Sequence, residues 1–211
     1  MIPQKYAASL IVLIGWFALS LQLFVSIKNA PALGVAIAES IVNYFSYFTI
    51  LSNLAVAVSL SILLIFPGSA LGRFFAKPAS QTAIALYIFI VGLVYSIALR
   101  NVWDPKGLQK TADILLHDVI PILYLLFWFL FVPKKTLKWQ NAFSWLIFPF
   151  IYLLYALLRG ATTGWFSYYF LNFKEYGWGK VTINIILVLL AFLAVAMFLI
   201  LIDRVWKKKL R

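Results

Sequence analysis

The sequence predicts an all-α membrane protein: a bundle of six transmembrane helices forming a single domain over residues 1–211, with both termini cytoplasmic. Three observations predict it. The chain is 64% hydrophobic and only 11% charged, far from the average of a water-soluble domain. Its apolar residues fall into six long runs, and a helix needs about 20 apolar residues to cross the hydrocarbon core. Its basic residues divide unevenly between alternate loops, which sets orientation.

The first run, Ala7–Ile27, is too long for a signal-peptide core and only Lys5 precedes it, so it reads as a retained span. Asn29-Ala30-Pro31 breaks it. The second run, Ile41–Phe66, stops at Pro67-Gly68, and the third, Ser80–Leu99, leads through Arg100 to the turn sequence Asp104-Pro105-Lys106-Gly107. The fourth, Ala112–Val132, stops at Pro133-Lys134; the fifth is Ala142–Leu158 and the sixth Val181–Ile202. Between the last two lies Gly160–Lys180, whose aromatic stretch Trp165–Phe173 suits the headgroup level. Such a stretch reads either as an aromatic belt or as a lid over an outward-facing pocket. No repeat relates the two halves, which speaks against a transporter built from inverted repeats.

With six spans both ends share a side. That side collects Lys5, Arg73, Lys77, Lys134, Lys135, Lys138, Arg204 and the tail Lys207-Lys208-Lys209-Leu210-Arg211. The other collects Lys28, Arg100, Lys106, Lys110, Arg159, Lys174 and Lys180, together with Glu39, Asp104, Asp113 and Glu175. The richer side is expected to be cytoplasmic, in a multi-pass protein of the cell membrane. The net charge of +12 is thus mostly topology, scattered over short loops on both faces, and no nucleic-acid partner is expected. Membrane lipids are the expected surroundings. The basic tail can anchor the last span or hold anionic headgroups. The absence of cysteine excludes disulfides, a thiol nucleophile and thiolate metal sites. One histidine and six carboxylate side chains speak against a catalytic metal, and no cofactor is expected.

Polar groups inside spans are costly, so their positions point to function. In a continuous second span Ser46, Thr49 and Asn53 fall at i, i+3 and i+7 and share a face, bordered by Ser52. Tyr95, Ser96 and Arg100 occupy the last turns of the third span. Asp113 and His117 are four apart in the fourth, with Asp118 adjacent; Tyr152, Tyr155 and Arg159 follow i, i+3, i+7 in the fifth. At 1.5 Å per residue Thr49 is expected about 10 Å, and His117 about 7 Å, below the outer ends of their helices. Four helices then present polar residues at one depth in the outer leaflet, while the opposite halves, Ala55–Phe66 and Ile122–Val132, look plain. Each residue also has a packing role open to it. Thr49 can bond its own i−4 carbonyl, Ser46, Ser52 and Asn53 can join helices, and Arg100 and Arg159 can snorkel to the interface.

The stretch Tyr47-Phe48-Thr49-Ile50-Leu51-Ser52-Asn53-Leu54, then His117-Asp118-Val119-Ile120-Pro121, Tyr155-Ala156-Leu157-Leu158-Arg159-Gly160 and Gly164-Trp165-Phe166, resembles a group of six-span bacterial membrane proteins. That group is similar to the animal androgen-induced membrane proteins, hydrolases of fatty acid esters of hydroxy fatty acids. The resemblance implies a threonine nucleophile in an early span and a histidine partner shortly before a proline. Thr49 and His117 match those positions.

The chemistry is consistent with the residue types. A threonine hydroxyl needs a base to take its proton, and His117 is the only histidine. Asp113, four residues earlier, can fix the imidazole tautomer. Asp118 points about 100° away from His117 on a helix and is expected to pair with Arg100 or Arg159. Asn53, Tyr155 and Arg159 are candidate oxyanion donors. The expected function is hydrolysis of an amphiphilic acyl ester within the membrane. The alternative is a non-catalytic transporter or a ligand-binding or assembly scaffold.

Overall fold

The computed structural model describes residues 2–102 and 104–206; the basic tail 207–211 lies outside the described residues. The protein is all-α, with no strand among the described residues. Six helices are long and apolar enough to cross a membrane: Pro3–Asn29, Phe48–Ile65, Pro78–Leu99, Gly107–Phe131, Asn141–Thr163 and Phe173–Val205. The chain forms two compact units, residues 1–133 and 134–211.

The first unit holds four of the six. They are α1 (Ile2–Asn29), α3 (Phe48–Ile65), α5 (Pro78–Val94) with its continuation Tyr95–Leu99, and a fourth made of α6 (Gly107–Ile114), Leu115–Val119 and α7 (Ile120–Phe131). Lipid gives apolar helices no hydrophobic reason to associate, so small residues and hydrogen bonds decide where they touch. A Cβ at Gly15 of α1 would stand 3.4 Å from the Ala57 Cβ of α3, and Trp16 donates to Ser61 at 3.1 Å. Val56, Ala57, Leu60, Ala85, Leu86, Ile88, Ile120 and Tyr124 are fully buried.

Two short helices join the spans. In α4 (Ala70–Phe75) the Ser69 hydroxyl caps the first turn, accepting from the Gly72 N–H at 3.0 Å. The other, α2 (Ile37–Phe45), corrects the expectation of one continuous second span from Ile41. Tyr47 is extended, at φ −88° and ψ 130°, and α3 starts afresh at Phe48. The cause is local. Ser46 turns its hydroxyl back to the Val42 carbonyl at 2.6 Å, offering the backbone an alternative to helix continuation. Side chains also tie α2 to α1: Tyr44 donates to the Leu19 carbonyl at 2.9 Å and Ser40 to the Ser26 carbonyl at 3.0 Å. Burial pushes the Tyr44 phenol up to about 12.

The opposite half of this unit is not plain. Trp128 donates to the Thr82 hydroxyl at 2.8 Å, Thr82 to the Pro78 carbonyl at 2.8 Å and Tyr124 to the Gln81 carbonyl at 3.4 Å. Ser59, Gln81 and Thr82 are all buried there. A tyrosine and a tryptophan in an apolar run each bring a polar tip that needs a partner.

The second unit holds α8 (Asn141–Trp145), α9 (Ile147–Thr163) and α10 (Phe173–Val205). Gly164, at φ 77°, ends α9 in the left-handed conformation that glycine tolerates. The ring of Phe166 then lies across Gly160, where a Cβ would come within 2.1 Å of it. Phe166 meets Phe173 edge-on at 5.2 Å, and Phe173 stacks on Trp178 at 4.2 Å. Asn172 caps α10 by accepting from the Glu175 N–H at 3.2 Å, and Gly177, at φ 75°, kinks it. Near the other end of α10, the carboxylate of Asp203 accepts from the N–H groups of Thr136 and Leu137, both at 3.0 Å. It thereby folds residues 134–137 onto the helix.

Candidate functional site

The site forms at the end of the first unit away from Ile2, where α3 begins, α5 ends and α6 leads into α7. Two of these helices are distorted there in the same way. Tyr95–Leu99 and Leu115–Val119 are π turns, in which an N–H reaches the carbonyl five residues back. Arg100 N–H thus bonds the Tyr95 carbonyl at 2.8 Å, and Ile120 N–H bonds that of Leu115. The second turn has a cause in the sequence. Pro121 has no N–H for the His117 carbonyl, and its ring would press on that oxygen in a regular helix. The wider turn relieves the clash.

The π turn carries His117 to Thr49. The Thr49 hydroxyl oxygen stands 3.3 Å from His117 Nε2. Thr49 is the second residue of α3, so it sits in the first turn of its helix and not about 10 Å, or roughly two turns, deep as an uninterrupted span implies. On its other side His117 Nδ1 lies 3.0 Å from the main-chain carbonyl of Asp113 and 3.1 Å from the Asp113 carboxylate Oδ1. Both are acceptors, which favours a proton on Nδ1 and leaves Nε2 facing the Thr49 hydroxyl. The row Thr49–His117–Asp113 has the connectivity of an acyl-transfer triad. It is largely enclosed, with the His117 side chain 14% exposed and that of Asp113 7%.

Tyr95 completes the surroundings of the imidazole. Its ring lies flat against that of His117, centroids 4.0 Å apart and planes 14° from parallel. Its hydroxyl donates to the second Asp113 oxygen, Oδ2. The Arg100 guanidinium lies over the Tyr95 ring at 4.8 Å and makes an ion pair with Asp118. That ion pair, first of all its hydrogen bond, holds Arg100 more firmly charged than usual. Arg100 with Asp118 is one of the pairings expected for the outer charges, and Asp113 holds His117 and Tyr95.

Asn53 takes the helix-joining role that was open to it. Its amide nitrogen donates to the Thr49 carbonyl at 2.8 Å and to the Leu116 carbonyl at 3.2 Å. Both N–H groups are therefore spent on main chain, tying α3 to the π turn, and neither is left for an oxyanion. Tyr155 and Arg159 belong to the second unit. There Tyr155 is 40% exposed and Arg159 lies over the Trp165 ring at 4.2 Å. The aromatic stretch Trp165–Phe173 is in the same unit, and within it Phe166 meets Phe173 and Phe170 meets Tyr168 and Tyr169. Among the described residues no three His, Cys, Asp or Glu side chains converge as a metal would require.

The sequence carried one unused signal for this site. Tyr95 and Arg100 are five apart, as are Asp113 and Asp118, and each residue of the first pair meets its counterpart in the second. On an α-helix residues five apart point about 140° away from each other; a π turn draws them toward one face. Comparison with protein-family models, with curated proteins and with solved structures gives no match to this chain.

Proposed function

We propose that the protein hydrolyses amphiphilic acyl esters at the membrane, with Thr49 as nucleophile and His117 as base and then acid. In this reading both termini are cytoplasmic and the site opens toward the outer leaflet, as the distribution of basic residues favours. The observation that carries it is the 3.3 Å approach of the Thr49 hydroxyl to His117 Nε2, with Nδ1 held by Asp113.

The steps follow from that geometry. The Thr49 oxygen attacks the ester carbonyl carbon while its proton passes to His117 Nε2. The charge that develops on the carbonyl oxygen forms beside the start of α3, the positive end of that helix's dipole. Collapse breaks the bond to the alcohol, which leaves with the proton from Nε2. Water then attacks the acyl-threonine, gives its proton to Nε2, and the acid departs as the proton returns to Thr49. Asp113 orients the ring throughout. The resemblance to hydrolases of hydroxy fatty acid esters supports the substrate class.

A fluorophosphonate probe with a long alkyl chain tests this. Labelling of the lipid-reconstituted protein is expected, with loss in Thr49→Ala and His117→Ala, alongside turnover of a long-chain ester. Labelling and turnover that persist unchanged in both variants would falsify the mechanism. One observation favours a scaffold instead: Asn53 uses its whole donor capacity to join helices. Under that reading Thr49→Ala lowers stability and there is no turnover to lose.

A further inference from the structure

We propose that Tyr95 is a positioning residue for the reaction above, setting both the tautomer and the direction of His117; the inference rests on that reading. Tyr95 is 5% exposed and spends its polar and apolar parts on the same neighbours. Its hydroxyl takes Asp113 Oδ2, leaving Oδ1 at 3.1 Å from His117 Nδ1. Its ring covers a face of the imidazole at 4.0 Å and 14°. The two constraints act on different freedoms. The hydrogen bond fixes the carboxylate, so one oxygen is always presented to Nδ1–H. The stack blocks rotation of the imidazole out of its plane, so Nε2 keeps facing Thr49.

The backbone explains why a side chain from another span can do this. Tyr95 opens the π turn of its helix and His117 sits in the middle of the other. Arg100, at the end of the first π turn, lies over the Tyr95 ring and is anchored to Asp118 beside His117. The contacts 95–113 and 100–118 brace the tyrosine along its length. A ring that merely filled space would need no coplanarity with the imidazole.

His117 is the only histidine in the chain, so histidine labelled with ¹⁵N reports on this one ring. In the full chain in lipid nanodiscs the ring nitrogen shifts are expected to show the Nδ1–H tautomer at neutral pH. Tyr95→Phe keeps the stack and removes the hydroxyl; Nδ1–H keeps the Asp113 main-chain carbonyl at 3.0 Å, so a mixture in which the Nδ1–H form still leads is expected. With a long-chain ester, kcat is expected to fall about ten- to a hundredfold, the scale of a misplaced catalytic group, with KM little changed. Tyr95→Leu removes the stack as well and is expected to lose more. Unaltered ring nitrogen shifts in both variants overturn the proposal whatever the turnover. If wild-type protein hydrolyses no ester, the hydrolase reading fails by itself. A tautomer change in Tyr95→Phe would then still establish that Tyr95 positions His117.

Discussion

Gly92 of α5 faces the main-chain carbonyl oxygen of His117, and a Cβ there would stand 3.1 Å from it. Pro121 denies that oxygen its usual helical donor, and the glycine lets the two spans close around it. A larger residue must push on the backbone that aims the imidazole. Gly92→Val is expected to cost about 1–3 kcal/mol by overpacking and to weaken fluorophosphonate labelling. Gly92→Ala is milder, since alanine's better helix propensity returns up to about 1 kcal/mol. Thermal unfolding in detergent, read beside labelling rate, checks both; full labelling in Gly92→Val would show that the contact does not transmit to the site.

Asp113 should matter less than Thr49. His117 Nδ1–H also has the Asp113 main-chain carbonyl at 3.0 Å, an acceptor no substitution at that position removes. Asp113→Asn is therefore expected to lose about 10- to 100-fold in kcat. Thr49→Ala is expected to lose about 10³-fold or more, and Thr49→Ser to keep part of the activity. Equal losses in Asp113→Asn and Thr49→Ala would mean that the carboxylate does more than orient the ring.

Gly160 and Phe166 should behave as one unit. A methyl group at Gly160 occupies the space of the Phe166 ring, so Gly160→Ala is expected to destabilise by about 1–3 kcal/mol. Adding Phe166→Ala should then cost little more, because the ring has already been displaced. Unfolding of the four members of this cycle measures the coupling, and simple additivity would count against the packing described.

Lys134 gives a pH dependence. Burial holds its ammonium down at about 8 from the usual 10.5, against the opposing pull of Asp203. Between those two values the unfolded chain binds more protons than the folded one, so this group's contribution to stability rises with pH from about 8 to 10.5. Below that window the cost of keeping it charged is fully present. Lys134→Met is expected to be more stable than wild type near pH 7, with the difference closing by about pH 10.5. A difference independent of pH would exclude charge as its cause.

Much of the fold was legible because lipid imposes a simple rule: six long apolar runs gave six spanning helices. The approach of Thr49 to His117 was legible in their similar expected depths below the outer ends of their helices. The Arg100–Asp118 ion pair followed from the cost of lone charges. The break before Phe48 was not legible, because Ser46 and Thr49 fit a continuous helical face as well as they fit a turn and a new start. The role of Tyr95 was hidden for a different reason. Reading faces at 3.6 residues per turn separates residues five apart, and the π turns unite them. For Asn53 the residue type allowed both an oxyanion donor and a helix-joining role; only coordinates show that both its N–H groups are used on main chain. The Asp203 clamp joins residues nearly seventy apart, beyond the reach of any local pattern.

The length of α3 has a consequence for where the protein works best. Its 18 residues span about 27 Å at 1.5 Å each, slightly less than a typical hydrocarbon core of about 30 Å. Thr49 stands in the first turn of that helix, so, on the proposed function, a thinner membrane or dipping headgroups there would bring it nearer to water. Acyl-chain length of the host lipid thereby becomes a control on hydration of the threonine. Thin bilayers would bring water to it, and thick ones would seal it under hydrocarbon.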